Sequence, residues 1–149
     1  MTELPLTPHI QGVLHKAELL AKALGRNGVD LDLFFHCFLD DFSLSCVSVF
    51  NALDLRVGEF VSASHKVISN KKKNKKTSVS LKADVKRLLK EVRGIAEETL
   101  GLDYLPPEVI LMAFFDEDHC PKVIEGLLPK DAEEADKLVV KIVNECTLV

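Results

Sequence analysis

Two stretches of this chain carry the same signals in the same order at a constant separation. Residues 25–39 read GRNGVDLDLFFHCFL and residues 101–115 read GLDYLPPEVILMAFF. Gly25 and Gly101, Asp32 and Glu108, and Leu39 and Phe115 each lie 76 positions apart. Past an acidic segment the separation becomes 74, for Cys46 and Cys120, Val49 and Val123, and Leu53 and Leu127. A slip of two residues in a polar connection is what a surface loop tolerates. Helix, glycine, acid, apolar run, acidic loop and helix in one repeated order predict an internal duplication. The acid that heads each apolar run, Asp32 and Glu108, is the residue pair to follow.

Helical periodicity fills in the rest. Thr7 suits a helix N-cap and Pro8 the first helical position, where a missing N–H costs nothing. Ile10, Val13, Leu14, Ala17, Leu20, Ala21 and Leu24 then recur at spacings of three and four, up to a stop at Gly25. Residues 26–29 read as a turn, and Asp30 as the cap of a second helix. That helix carries Phe34, Phe35, Phe38 and Leu39 on more than one side, which predicts a central position. Asp40 and Asp41 suit a helix C-terminus poorly, so they are expected in the following loop. Further helices are expected around Val47 to Leu53 and around Val57 to Ile68. Residues 69–78, SNKKKNKKTS, hold five lysines and no apolar anchor, which reads as a solvated linker. The periodicity restarts near Leu81, stops at Gly101, and resumes after Pro106 and Pro107. A short helix from Pro121 and a last helix from about Ala132 to Cys146 close the chain.

Composition narrows the classes. Apolar residues make up 47%, enough for a core without metal or disulfide support. A net charge of −4 gives no overall bias toward nucleic acid. No apolar run approaches the ~20 residues of a spanning helix, and the N-terminus has no signal-peptide core. Cys37, Cys46, Cys120 and Cys146 show no CxxC spacing. They read as reduced, mostly buried thiols of a cytoplasmic protein.

No stretch carries a catalytic signature. Ser43 and Ser45 have no nucleophile-elbow context. His36-Cys37 and His119-Cys120 are adjacent pairs, which on a helix point about 100° apart and match no zinc spacing. They are expected as core cysteines beside surface or loop histidines. Asp40, Asp41, Asp116, Glu117 and Asp118 lack the spacing and glycine of a calcium loop. The expectation is no metal, no cofactor and no enzyme activity.

Taken together, these residues resemble a known family. The second copy, G-L-D-Y-L-P-P-E-V-I-L-M-A-F-F, is similar to the G-H-E-Y-I-G-T-E-H-L-L-L-G-L-L pattern of the N-terminal domain of the Clp ATPases, the unfoldase chaperones. Gly101, Tyr104, Glu108 and the apolar positions match directly. In the first copy Gly25, Val29, Asp32 and the apolar run fit, and Leu6-Thr7-Pro8 matches the family's Phe-Thr-Pro-like opening. Lys82-Ala83 departs from that opening, Leu33 and Val109 replace the histidine after the acid, and Pro106-Pro107 replaces Gly-Thr. The chain has no GxxxxGK[ST] phosphate loop, so the expectation is a free-standing Clp-N-like protein without ATPase modules.

The resemblance implies an all-α fold of two tandem four-helix repeats related by a pseudo-twofold axis. Repeat 1 would span residues 6–68, the basic linker 69–80 and repeat 2 residues 81–146, within one domain of residues 1–149. It implies a non-enzymatic adaptor, regulator or substrate-docking module of the Clp chaperone-protease system, with a Clp ATPase, adaptor or substrate protein as partner. In some relatives the acid meets the guanidinium of phosphorylated arginine near a first-helix start. The corresponding positions here are Asp32 and Glu108, with Thr7, Pro8, Lys82 and Ala83 at the helix starts. A carboxylate pairs with guanidinium and a helix N-terminus offers N–H groups to phosphate. Two rival readings stay open: a structural or assembly protein that reuses the repeat, and the N-domain fragment of a Clp ATPase.

Overall fold

The computed structural model describes residues 5–41, 57–66 and 79–127. Helices dominate these residues: α1 (Pro8–Ala23), α2 (Leu31–Asp41), α3 (Val57–His65), α4 (Ala83–Gly94) and α5 (Pro107–Phe114). A π-helical turn, Ile95–Thr99, extends α4, and two 3₁₀-helices, Glu117–His119 and Lys122–Leu127, follow α5. The expected helices around Val47 to Leu53 and Ala132 to Cys146, and most of the lysine segment, lie outside the described residues. No described helix is long and apolar enough to cross a membrane.

The ends of the elements form where the residues dictate. Thr7 caps α1, its Oγ1 accepting the Ile10 N–H at 3.3 Å, with Pro8 in the first turn. Gly25 ends it at φ 71°, and Arg26 N–H closes back on the Ala21 carbonyl at 2.8 Å. Gly101 repeats this role at φ 64°. Only glycine takes up this left-handed conformation without a Cβ penalty. Asp30 caps α2, its Oδ1 accepting the Leu33 N–H at 2.9 Å.

The duplication is visible in this geometry. Pro8 and Ala83, the first residues of α1 and α4, are 75 positions apart, whereas the two glycine stops are 76 apart. The π-turn absorbs the extra residue, since each of its turns holds about one residue more than an α-turn. Leu102 N–H accordingly reaches back six residues, to the Ala96 carbonyl at 2.8 Å.

The central position expected for α2 is observed, and the second apolar run shares it. Leu33, Phe34, Phe35, Cys37, Phe38 and Leu39 are buried, and so is every residue from Val109 to Phe115. The Phe114 ring lies 5.5, 5.0 and 5.4 Å from the rings of Phe34, Phe35 and Phe38, edge to face in each case. Phe38 and Phe114 are 76 positions apart. These two equivalent residues therefore touch each other, as residues on a pseudo-twofold axis must.

Four local expectations need correction. Gly28–Val29 is not a turn but a short strand, β1, paired in parallel with β2, Ser80–Leu81. Val79 and Ser80 thus belong to an anchored extended segment rather than to the linker. Asp40 and Asp41 lie within α2, not in a loop. Lys16 of α1 explains this, since its Nζ sits 2.5 Å from Asp40 Oδ2 and 2.9 Å from Asp41 Oδ1. That cation offsets the unfavourable meeting of acids and helix C-terminus. His119 is no surface residue either. It is buried, with Nε2 on Glu91 Oε2 of α4.

The aromatic seam generates a stability prediction. Phe114→Ala removes three ring contacts from a sealed core and is expected to cost about 3–5 kcal/mol in urea unfolding. Leu19→Ala, at a residue 56% exposed, is expected to stay within about 0.5 kcal/mol of the parent.

Candidate functional site

Parallel pairing of β1 with β2 builds the first recess. The register sets Gly28 beside Ser80 and Val29 beside Leu81, and Lys82 N–H donates to the Val29 carbonyl at 2.9 Å. A Cβ on Gly28 would lie 2.8 Å from the Ser80 carbonyl oxygen, so the close approach requires glycine. The chain leaves each strand directly into a helix, and the starts of α2 and α4 therefore lie side by side. Between them and the second 3₁₀-helix is a cavity of about 270 Å³, lined by Asp30, Leu31, Asp32, Lys82, Asp84, Cys120 and Lys122.

Most polar atoms here already hold the fold together. Asp84 of α4 accepts the Leu31 N–H of α2 at 3.3 Å, a cap supplied by the other repeat. Asp32 Oδ1 accepts the Val123 N–H at 3.2 Å, across 91 positions of sequence. Burial pushes the Asp32 carboxyl above the ordinary carboxylate range, and the like charge of Asp30 adds to this. The N–H groups of Val123 and Lys122, and the Lys122 charge, act in the opposite direction. Cys120 beside it is pushed up to about 12 by burial, and Cys37 in the core to about 11. Both are therefore protonated at neutral pH and are poor nucleophiles.

The second recess is larger. A groove of about 660 Å³ runs between α3 and the second 3₁₀-helix, lined by Gly58, Glu59, Ser62, Ala63, Lys66, Val123 and Leu127. Gly58, Ser62 and Ala63 are small and lie on one face of α3, so its backbone is open to close approach. Val123 and Leu127 supply an apolar wall opposite. Glu59 and Lys66 add one charge of each sign.

This two-repeat geometry matches known proteins. The family model described as Clp repeat (R) N-terminal domain covers residues 5–125. The chain belongs to the Clp repeat N-terminal domain family. No curated protein sequence matches it. Among solved structures, it is similar to the N-terminal domain of Hsp104 from Candida albicans. The TM-score is 0.74 at 12% identity, covering 95% of this chain and 91% of that one. It is also similar to the ClpV N-domain, solved in complex with a VipB peptide. There the TM-score is 0.66 at 16% identity, covering 94% and 93%.

Within this Clp repeat domain, the predicted site residues divide. Asp32 and Lys82 line one cavity, so the acid of the first repeat meets the helix start of the second. Ala83 is the exposed first residue of α4 and is not among the lining residues. Thr7 and Pro8 are occupied with opening α1 and do not line that cavity. Glu108 is the second residue of α5, and its side chain lies outside the described residues. Sequence reasoning missed Asp84, Lys122 and the whole α3 groove. The run of Gly58, Ser62 and Ala63 at helical spacing was the available signal for the groove. Among the described residues, no three His, Cys, Asp or Glu side chains are grouped to hold a metal ion.

Asp32 can be tested through its bond to Val123. Asp32→Asn keeps an acceptor for that N–H and removes a partly desolvated charge. It is expected to leave stability at neutral pH within about 1 kcal/mol, or slightly higher. Asp32→Ala strands the N–H and is expected to cost about 1–2 kcal/mol. Because the folded-state pKa of Asp32 is raised, its ionisation opposes folding, and this penalty grows as pH rises through that pKa. Urea midpoints across the acid range should therefore show a smaller decline with rising pH in Asp32→Asn than in the parent.

Proposed function

We propose that this chain is a non-enzymatic protein-binding module whose α3 groove receives an apolar, helical segment of a partner. The partner would be a Clp ATPase, an adaptor or a substrate protein of a chaperone-protease system, in the cytoplasm. The groove itself carries the reading. It is bordered by small residues on one wall and by Val123 and Leu127 on the other. An amphipathic helix uses such a surface by laying its i, i+3, i+4 and i+7 side chains into it. The likeness to the ClpV N-domain, which was solved with a peptide, supports the same reading.

Asp32 with Lys82 and Ala83 forms one accessory docking point in this account. By analogy between the repeats, Glu108 with Thr7 and Pro8 would be its counterpart. The Asp32 cavity has carboxylates for a guanidinium and two lysines for an attached phosphate. It is polar and small, so it would select a modified side chain rather than supply most of the affinity.

Fluorescence anisotropy with a labelled ~18-residue amphipathic peptide, Leu at the four anchor positions, tests the groove. Ser62→Arg, at an exposed position on the groove wall, is expected to weaken binding by at least about tenfold, roughly 1.4 kcal/mol. A scrambled peptide of the same composition should bind no better than the variant does. Equal affinity of the parent and Ser62→Arg would remove the groove from the account.

A further inference from the structure

On the side of α3 away from the groove, two imidazoles meet. The His36 ring of α2 and the His65 ring of α3 are 5.2 Å apart, edge to face. They line a cavity of about 140 Å³ with Leu39, Asp40, Val61 and Ser64. Ser64 is buried, and its hydroxyl donates to the Val61 carbonyl at 2.8 Å. That donation uses its one hydrogen, so its contact with His36 Nδ1 at 3.3 Å requires His36 to be the donor. The neutral ring is thereby held in the Nδ1–H tautomer, and a second proton must enter at Nε2.

The charges facing this ring come from three elements. Lys16 of α1 and His65 of α3 oppose a positive charge on His36, and Asp40 of α2 favours one. Asp40 is engaged with Lys16 at 2.5 Å, so its offset is partial. We propose that His36 and His65 form an acid-sensitive latch. Neutral, the pair holds the last turn of α3 against α2. Protonated, His36 sets a cation against the His65 ring and lets that turn loosen. Phe60, buried against Phe115 at 5.7 Å, keeps the start of α3 anchored, so the loosening is local. Ser62 and Ala63 of that same turn, and Lys66 just after it, line the groove. Acid would therefore weaken peptide binding, a consequence that rests on the groove reading above.

Burial, and next the His65 charge, hold the His36 pKa below its ordinary 6.5. The closed state therefore prefers the neutral ring. The latch is complete above the ordinary histidine pKa and is lost as pH falls through the folded-state value.

Amide exchange of the full chain, corrected for intrinsic rates and compared at about pH 7.5 and about pH 5.5, tests the latch. Protection across the last turn of α3 is expected to fall by about three- to tenfold on acidification. His36→Asn retains a donor for Ser64 and cannot titrate, so its protection should change by less than about twofold. His65→Gln, at an exposed position, should show a fall between the two. No fall in the parent, a full fall in His36→Asn, or a fall in His65→Gln equal to that of the parent would each overturn the latch. Anisotropy with the same amphipathic peptide separates the two ideas. A pH-independent affinity alongside lost protection would contradict the groove, not the latch.

Discussion

The contact of Phe114 with Phe34, Phe35 and Phe38 is the constraint on which the rest of this fold depends. It joins the central helix of one repeat to that of the other, and all four rings are sealed from solvent. Edge-to-face packing fixes relative orientation as well as distance. Once α2 and α5 are set in this way, β1 can meet β2, and the starts of α2 and α4 converge. The position of α3 follows through Phe60 and Phe115. Both recesses are products of this arrangement, since each has walls from both halves of the chain.

The two halves keep one plan with different chemistry. Lys16 and Glu91 occupy equivalent places on α1 and α4, 75 positions apart. Lys16 holds Asp40 and Asp41 at the end of α2, and Glu91 holds His119 just after α5. In each half this place on the first helix ties down the segment at or just past the end of the second, with different residue types. One consequence is a difference in helix length. With its acids neutralised, α2 continues to Asp41, whereas α5 ends at Phe114, the equivalent of Phe38. Asp116 then caps a 3₁₀-turn by accepting the Asp118 N–H at 3.1 Å.

What the sequence revealed follows from the range of each interaction. Thr7, Pro8, Gly25, Asp30 and Gly101 act on their own neighbours, and each does what its residue type predicts. The apolar runs were legible because nearly every residue in them is buried. The placement of Asp40 and Asp41 was misjudged because their partner, Lys16, lies 24 and 25 positions away. The β1 pairing escaped because two-residue strands carry no periodicity and their partner is some fifty positions distant. Asp32 was recognised as the head of a helix. Its bond to Val123 depends on how the two repeats pack, and no local pattern encodes that. The groove was hidden for the same reason, since small residues on α3 become a binding wall only when Val123 and Leu127 stand opposite.

The two recesses thus divide the labour. The polar one is largely consumed by caps and cross-repeat bonds, while the groove leaves small and apolar surface open to a partner. Amide shift mapping of the isotopically labelled full chain, titrated with the amphipathic peptide, tests this division most directly. The account predicts that the shifts concentrate on residues 57–66 and 122–127, with small changes around Asp32 and Lys82. Shifts confined to residues 28–32 and 80–84, or no shifts at saturating peptide, would contradict it.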